Sequence, residues 1–229
     1  TGKFFVKVNR RVLSLFLSLL PFSFLAQQDL TGNWLMYFGT NRFTDKWSIH
    51  TEFQYRNHTF SPTNPEQLLL RTGLNFHYSK KATVTLGYAY VPSYIYESEQ
   101  KSPEIEESRI WQQFILTNSV GRIKFEHRYR LEQRFIGNIY KNRFRYRLML
   151  FIPLNKKKIE KGALFLGLYD EVFVNSKQVF FDRNRLYGAL GYQFTKDIGL
   201  QVGYLHQRVN GFSKGYFQIG AVVNTDFRK

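Results

Sequence analysis

From Arg122 to Phe135 the chain alternates with a period of two. Arg122, Lys124, Glu126, Arg128, Arg130, Glu132 and Arg134 fall on one phase, and Ile123, Phe125, Tyr129, Leu131 and Phe135 on the other. A two-residue period is that of a β-strand, and it places charge on one face and aromatic or aliphatic bulk on the opposite face. The device recurs along the chain. In residues 46–56, Trp47, Ile49, Thr51, Phe53 and Tyr55 oppose Ser48, His50, Glu52, Gln54 and Arg56; in 143–153, Phe144, Tyr146, Leu148, Leu150 and Ile152 oppose Arg143, Arg145 and Arg147. A soluble sheet buries its apolar face against a core. A densely charged face repeated behind an aromatic one in almost every strand predicts an all-β, transmembrane, antiparallel up-and-down barrel with a charged interior.

Further strands are expected at 67–78, 82–91, 109–119, 163–175, 183–194, 198–208 and 216–227. No helical period or Pro/Gly/Ser-rich linker separates them, so residues 46–229 read as one barrel domain of ten strands. The stretch 27–45 is a lead-in or contains an extra strand. Asn33 to Gly39 could be periplasmic, form an inserted plug, or supply one of two extra strands in a barrel of twelve. Connections at 79–82, 119–122, 154–162 and 195–198 read as tight, and those at 57–66, 92–108, 135–142, 176–182 and 209–215 as longer. Short periplasmic turns alternating with longer extracellular loops would place both ends of the ten-stranded barrel in the periplasm.

Upstream, Lys3, Lys7, Arg10 and Arg11 precede an apolar run that ends at Ala26, the order of a secretory signal peptide over residues 1–26. Beyond that segment 29 basic residues face 17 acidic ones, a net charge of +12. This excess is spread through alternating strands and not gathered on a helix or tail, so no nucleic-acid partner is expected. The expected surroundings of a bacterial outer-membrane monomer are lipid and lipopolysaccharide. The chain has no cysteine, which excludes disulfides and thiolate chemistry. Its mean hydropathy of −0.37 is that of a chain offering only alternate residues to lipid.

Several runs resemble a known family. They are Arg109-Ile110-Trp111-Gln112-Gln113, Arg128-Tyr129-Arg130-Leu131-Glu132-Gln133-Arg134, Arg143-Phe144-Arg145-Tyr146-Arg147, Tyr169-Asp170-Glu171-Val172-Phe173 and Asn184-Arg185-Leu186. In this order they are similar to the motifs of bacterial domain-of-unknown-function family 2490. The resemblance implies an outer-membrane barrel of Gram-negative bacteria and brings no substrate, activity or catalytic residue.

The strand phases turn Glu52, Arg71, Lys124, Glu126, Arg128, Arg130, Glu132, Arg134, Arg143, Arg145, Arg147, Glu171 and Arg185 toward the lumen. Such groups either interlock as a structural plug of Arg-carboxylate pairs or leave spare guanidinium groups along a narrow anion-preferring path. Asp170 shares a phase with Leu168 and Val172, so the sequence calls either for a bulge at Asp170-Glu171 or for Asp170 above the membrane. His50 beside Glu52 is the pair that an enzyme acting on lipid or envelope polymer would use. No nucleophile elbow, metal-type His cluster or phosphate loop accompanies it, so neither catalytic residue, metal nor cofactor is expected. Glu97, Glu99, Glu104, Glu106 and Glu107 give the 92–108 loop an acidic, solvated character. Phe227 ends a final amphipathic strand and resembles the signal read by barrel assembly machinery.

Overall fold

The computed structural model describes residues 31–95, 102–176 and 180–228. The segment 1–26, with its expected signal peptide, and Glu97 and Glu99 lie outside these residues. Among them eleven strands follow in chain order: β1 (Thr31–Arg42), β2 (Trp47–Asn57), β3 (Pro65–His77), β4 (Ala82–Ser93), β5 (Ile105–Val120), β6 (Ile123–Ile136), β7 (Ile139–Pro153), β8 (Leu164–Asn175), β9 (Phe181–Gln193), β10 (Ile198–Val209) and β11 (Phe212–Asp226). Each pairs with its neighbours in sequence, and β1 closes the barrel against β11.

The count corrects the expected ten or twelve strands, and parity changes the closure. In a meander of eleven, first and last strands point the same way, so β1 pairs with β11 in parallel, from Thr31 opposite Gly215 to Arg42 opposite Asp226. The barrel is therefore mixed and not wholly antiparallel; odd-stranded membrane barrels exist. Residues 33–39 are the middle of β1, neither lead-in nor plug. Their inward row of Trp34, Met36 and Phe38 is apolar, like Leu35 on the outward row, so the strand carries no charge alternation to reveal its period.

Two connections expected to be long are two-residue turns. Gly137 has φ of 54° and begins the β6–β7 turn; Asn210 and Gly211, at 42° and 84°, give the double positive φ of a type I′ hairpin between β10 and β11. The connection expected to be tight at 154–162 spans residues 154–163 and is wide, at the opposite end. Loop length thus does not separate the two ends of the barrel as the sequence suggests.

The outer wall is apolar around the circumference: Leu35, Phe53, Leu86, Ile110, Leu131 and Leu186 are all exposed. A soluble monomer rarely exposes apolar surface on this scale. Polar groups on that wall pair with one another. The amides of Gln112 and Gln133 exchange hydrogen bonds of 3.1 Å, and His127 Nδ1 lies 2.9 Å from the Tyr146 hydroxyl. Asp170 also faces outward, accepting a hydrogen bond from Asn184 Nδ2, while Glu171 faces inward. Pairing with β7 runs unbroken through both residues, and the irregularity of β8 falls at Phe173/Val174, so of the two alternatives for Asp170 the bulge at Asp170-Glu171 is absent.

Register explains how distant residues meet. Stepping straight across the strands from Arg42 on β1 leads through Ser48, Asn75, Thr85, Gln113, Arg130, Arg145 and Phe173 to Arg183 near the start of β9. One circuit accumulates more than a strand length of stagger, which corresponds to a tilt of roughly 40°. Residues at one height are therefore offset from strand to strand, and inward side chains from β2, β6, β7 and β8 converge on one level.

Candidate lumen charge network

The β6–β7 register sets like charges opposite each other: Arg128 faces Arg147 and Arg130 faces Arg145. Directly opposed like charges destabilise a sheet unless carboxylates intervene. Two buried glutamates supply them. Glu132 accepts hydrogen bonds from Arg143 Nε (3.0 Å) and Nη2 (2.6 Å) on one oxygen and from Arg145 Nη1 (2.7 Å) on the other. Glu171, carried in from β8, accepts from Arg128 Nη2 (2.7 Å) and from Arg145 Nε (3.0 Å) and Nη2 (2.8 Å). Arg145 thereby bridges both acids, using the planar fork that suits guanidinium to carboxylates.

Asp182 accepts from Arg183 Nε at 2.6 Å, and three further glutamates anchor other arginines. Glu52 receives Arg71 Nη1 on both oxygens, at 2.9 and 2.7 Å, together with the Gln54 amide. Glu126 accepts from Arg147 Nη2 at 2.6 Å. Glu107 is held by Arg109 Nε and Nη2 at 2.8 and 2.7 Å and by Arg134. Arginines nevertheless outnumber carboxylates in the lumen, and three of them lean on neutral amides. Arg56 donates to Gln54 and Gln67, Arg130 to Gln113, and Arg185 to Gln207. Aromatic faces take up part of the surplus charge. Arg56 and Arg185 stand 4.1 and 4.9 Å from the centroid of Trp34, Arg130 stands 4.8 Å from Trp111, and Arg145 4.3 Å from Phe173.

The network does not fill the barrel. A cavity of about 630 Å³ runs beside it, lined by these charged groups and by Met36, Phe38, Met149 and Phe151. Of the lumen residues drawn from the sequence, twelve belong to the cavity wall or its ion pairs; Lys124 does not. It is exposed near the start of β6 with Nζ 5.4 Å from the Phe151 centroid. Sequence reasoning missed Glu107, Arg109, Trp34 and Trp111. β5 begins at Ile105 and not at 109, so Glu107 is a buried lumen acid and not part of a solvated loop. Continuing the phase of Trp111 and Gln113 two steps upstream would have found it.

The histidines are engaged locally. His50 Nε2 lies 3.1 Å from Glu52, whose oxygens are already taken by Arg71. His77 Nε2 lies 2.8 Å from Ser48 Oγ, but Ser48 is fully buried and also accepts from Asn75. No group of three or more His, Cys, Asp or Glu suited to a metal occurs among the described residues.

Fold and site together define a closed β-barrel with an arginine-rich lumen. The chain belongs to the protein family of unknown function DUF2490, whose model matches residues 31–218, from the first residue of β1 into β11. No curated protein and no solved structure matches it.

Proposed function

We propose that this protein is a bacterial outer-membrane barrel, monomeric and non-enzymatic, whose lumen is narrowed by Arg-Glu pairs and favours anions. The apolar outer wall supports lipid as its surroundings, with lipopolysaccharide and the assembly machinery as its natural partners. The observation that carries the anion preference is the set Arg56, Arg130 and Arg185: three buried cations held by glutamine oxygens and not by close carboxylate pairs. A guanidinium without a counter-ion in a low-dielectric lumen attracts any anion small enough to enter. Glutamine partners orient these groups without neutralising them, which distinguishes them from Arg145.

Planar-bilayer recordings under a salt gradient test this. Anion-selective reversal potentials are expected, shifting toward zero in Arg56→Gln with Arg185→Gln. Cation selectivity, or selectivity unmoved by that double substitution in a folded barrel, would refute the reading.

A further inference from the structure

The inward rows of several strands change character partway along. On β7, Arg143, Arg145 and Arg147 give way to Met149 and Phe151; on β9, Arg185 gives way to Tyr187, Ala189 and Gly191. On β11, Gln218 is followed inward by Gly220 and Val222. Since β7, β9 and β11 run in the same direction, their apolar segments lie toward the same end of the barrel. β1 brings Met36 and Phe38 against them, opposite Gly220 and Val222. The wall that β7, β9, β11 and β1 form toward that end is thus apolar, while β2 to β6 set His50, Asn75, Thr83, Thr117 and Glu126 across from it, and one cavity touches both sides. A simple salt bridge plug or ion path has no use for such an apolar wall. An alkyl chain laid against that wall loses its hydrophobic hydration.

At the charged end, Arg130 is 2% exposed and its Nη1 has no hydrogen-bond partner; its ion-pair contact with Glu132 is as long as 3.9 Å. Arg185 is buried and makes its side-chain hydrogen bond to a neutral glutamine. A buried donor without an acceptor is costly, and an anionic head group would satisfy Arg130 Nη1 and offset the charge of Arg185. The volume of about 630 Å³ lies within the range of small-molecule sites.

We propose that the lumen binds a single-chain amphiphile with a carboxylate or phosphate head, the head at Arg130 and Arg185 and the chain along Met36, Phe38, Met149 and Phe151. The proposal deepens the anion-preferring reading and rests on it. It assigns a ligand class to the same surplus arginines and a use to the apolar wall beside them.

Two of the three tryptophans, Trp34 and Trp111, are inside the lumen and serve as reporters, with Trp47 on the outer wall. In full-length Trp47→Phe barrel, chain-brominated stearate should quench lumen fluorescence saturably. A lysophosphatidate with the same brominated chain tests the phosphate head; whichever of the two binds more tightly identifies the head group. The matching brominated alcohol should bind at least about tenfold more weakly, the loss expected for one charged hydrogen bond.

Arg130→Gln with Arg185→Gln should weaken the anionic probes about tenfold. Gly220→Phe should abolish their quenching, because a Cβ there makes only ordinary contacts with Phe38 and Met36, at 3.6 and 3.7 Å, and a ring beyond it enters the cavity. A heat-dependent mobility shift confirms that each variant is folded. Alcohol quenching as strong as that of stearate, unchanged quenching in folded Gly220→Phe, or no saturable quenching would each overturn the proposal. Anion-selective conductance without probe binding would overturn the amphiphile site alone, whereas cation selectivity would remove the reading beneath it.

Discussion

Glu132→Gln is the most informative single change, because it keeps the shape of a fully buried side chain and removes one charge. Glu132 is 0% exposed and holds Arg143 and Arg145 through three hydrogen bonds of 2.6 to 3.0 Å, with Arg71 and Arg130 at 3.9 Å. At an effective dielectric of about 20, unit charges 4 Å apart interact by about 4 kcal/mol. Several guanidinium groups would lose this attraction while retaining their mutual repulsion. Desolvation relieved at Glu132 itself offsets part of that, and removing one partner of a buried pair costs about 3–5 kcal/mol. Urea unfolding of the reconstituted barrel, followed by tryptophan fluorescence and heat-dependent mobility, should show a loss of that size. Adding Arg143→Gln should recover at least about 1 kcal/mol, since contacting charges couple non-additively. A single-variant loss below about 0.5 kcal/mol, with no recovery in the double variant, would refute the view that Glu132 organises the network.

Two further outcomes follow from the fold. With no native cysteine, Leu35→Cys and Ile219→Cys, directly paired across β1 and β11, should form a disulfide under mild oxidation, detected by gel mobility before and after reductant; Leu35→Cys with Val223→Cys should not. Cross-linking only in the second pair would contradict the parallel register. Gly87→Leu should destabilise the barrel by about 3 kcal/mol or more, read as a lower unfolding midpoint, because a Cβ there would collide with Thr72 O and stand 2.5 Å from the Trp111 ring. A folded Gly87→Leu barrel of unchanged stability would show that Trp111 does not pack across that backbone.

Strands whose two faces differ in charge were legible in the sequence. β2, β6 and β7 announce themselves because arginine and glutamate alternate with aromatics, and twelve of the thirteen lumen residues chosen on that phase lie on the cavity wall or in its ion pairs. β1 was hidden by the same logic: Trp34, Met36 and Phe38 all face inward, Trp34 against the guanidinium groups of Arg56 and Arg185, so both faces of the strand look alike. Turn chemistry at Asn210-Gly211 was present in the residues, yet the flanking polar stretch suggested a longer loop. Ion-pair partners were not legible at all, since Arg128 meets Glu171 only through strand tilt and the stagger of β6, β7 and β8. The apolar wall of β7, β9, β11 and β1 likewise depends on which ends of the strands lie together, which the topology fixes.

Every functional statement rests on a barrel standing in the outer membrane with its apolar wall in lipid. Fractionation of cells expressing the full chain, followed by electrophoresis with and without boiling, tests this most directly. Recovery in the outer-membrane fraction with a mobility shift on heating is the result the account predicts. Recovery as a soluble protein with no shift would contradict it and remove the basis for the anion path and the amphiphile site alike.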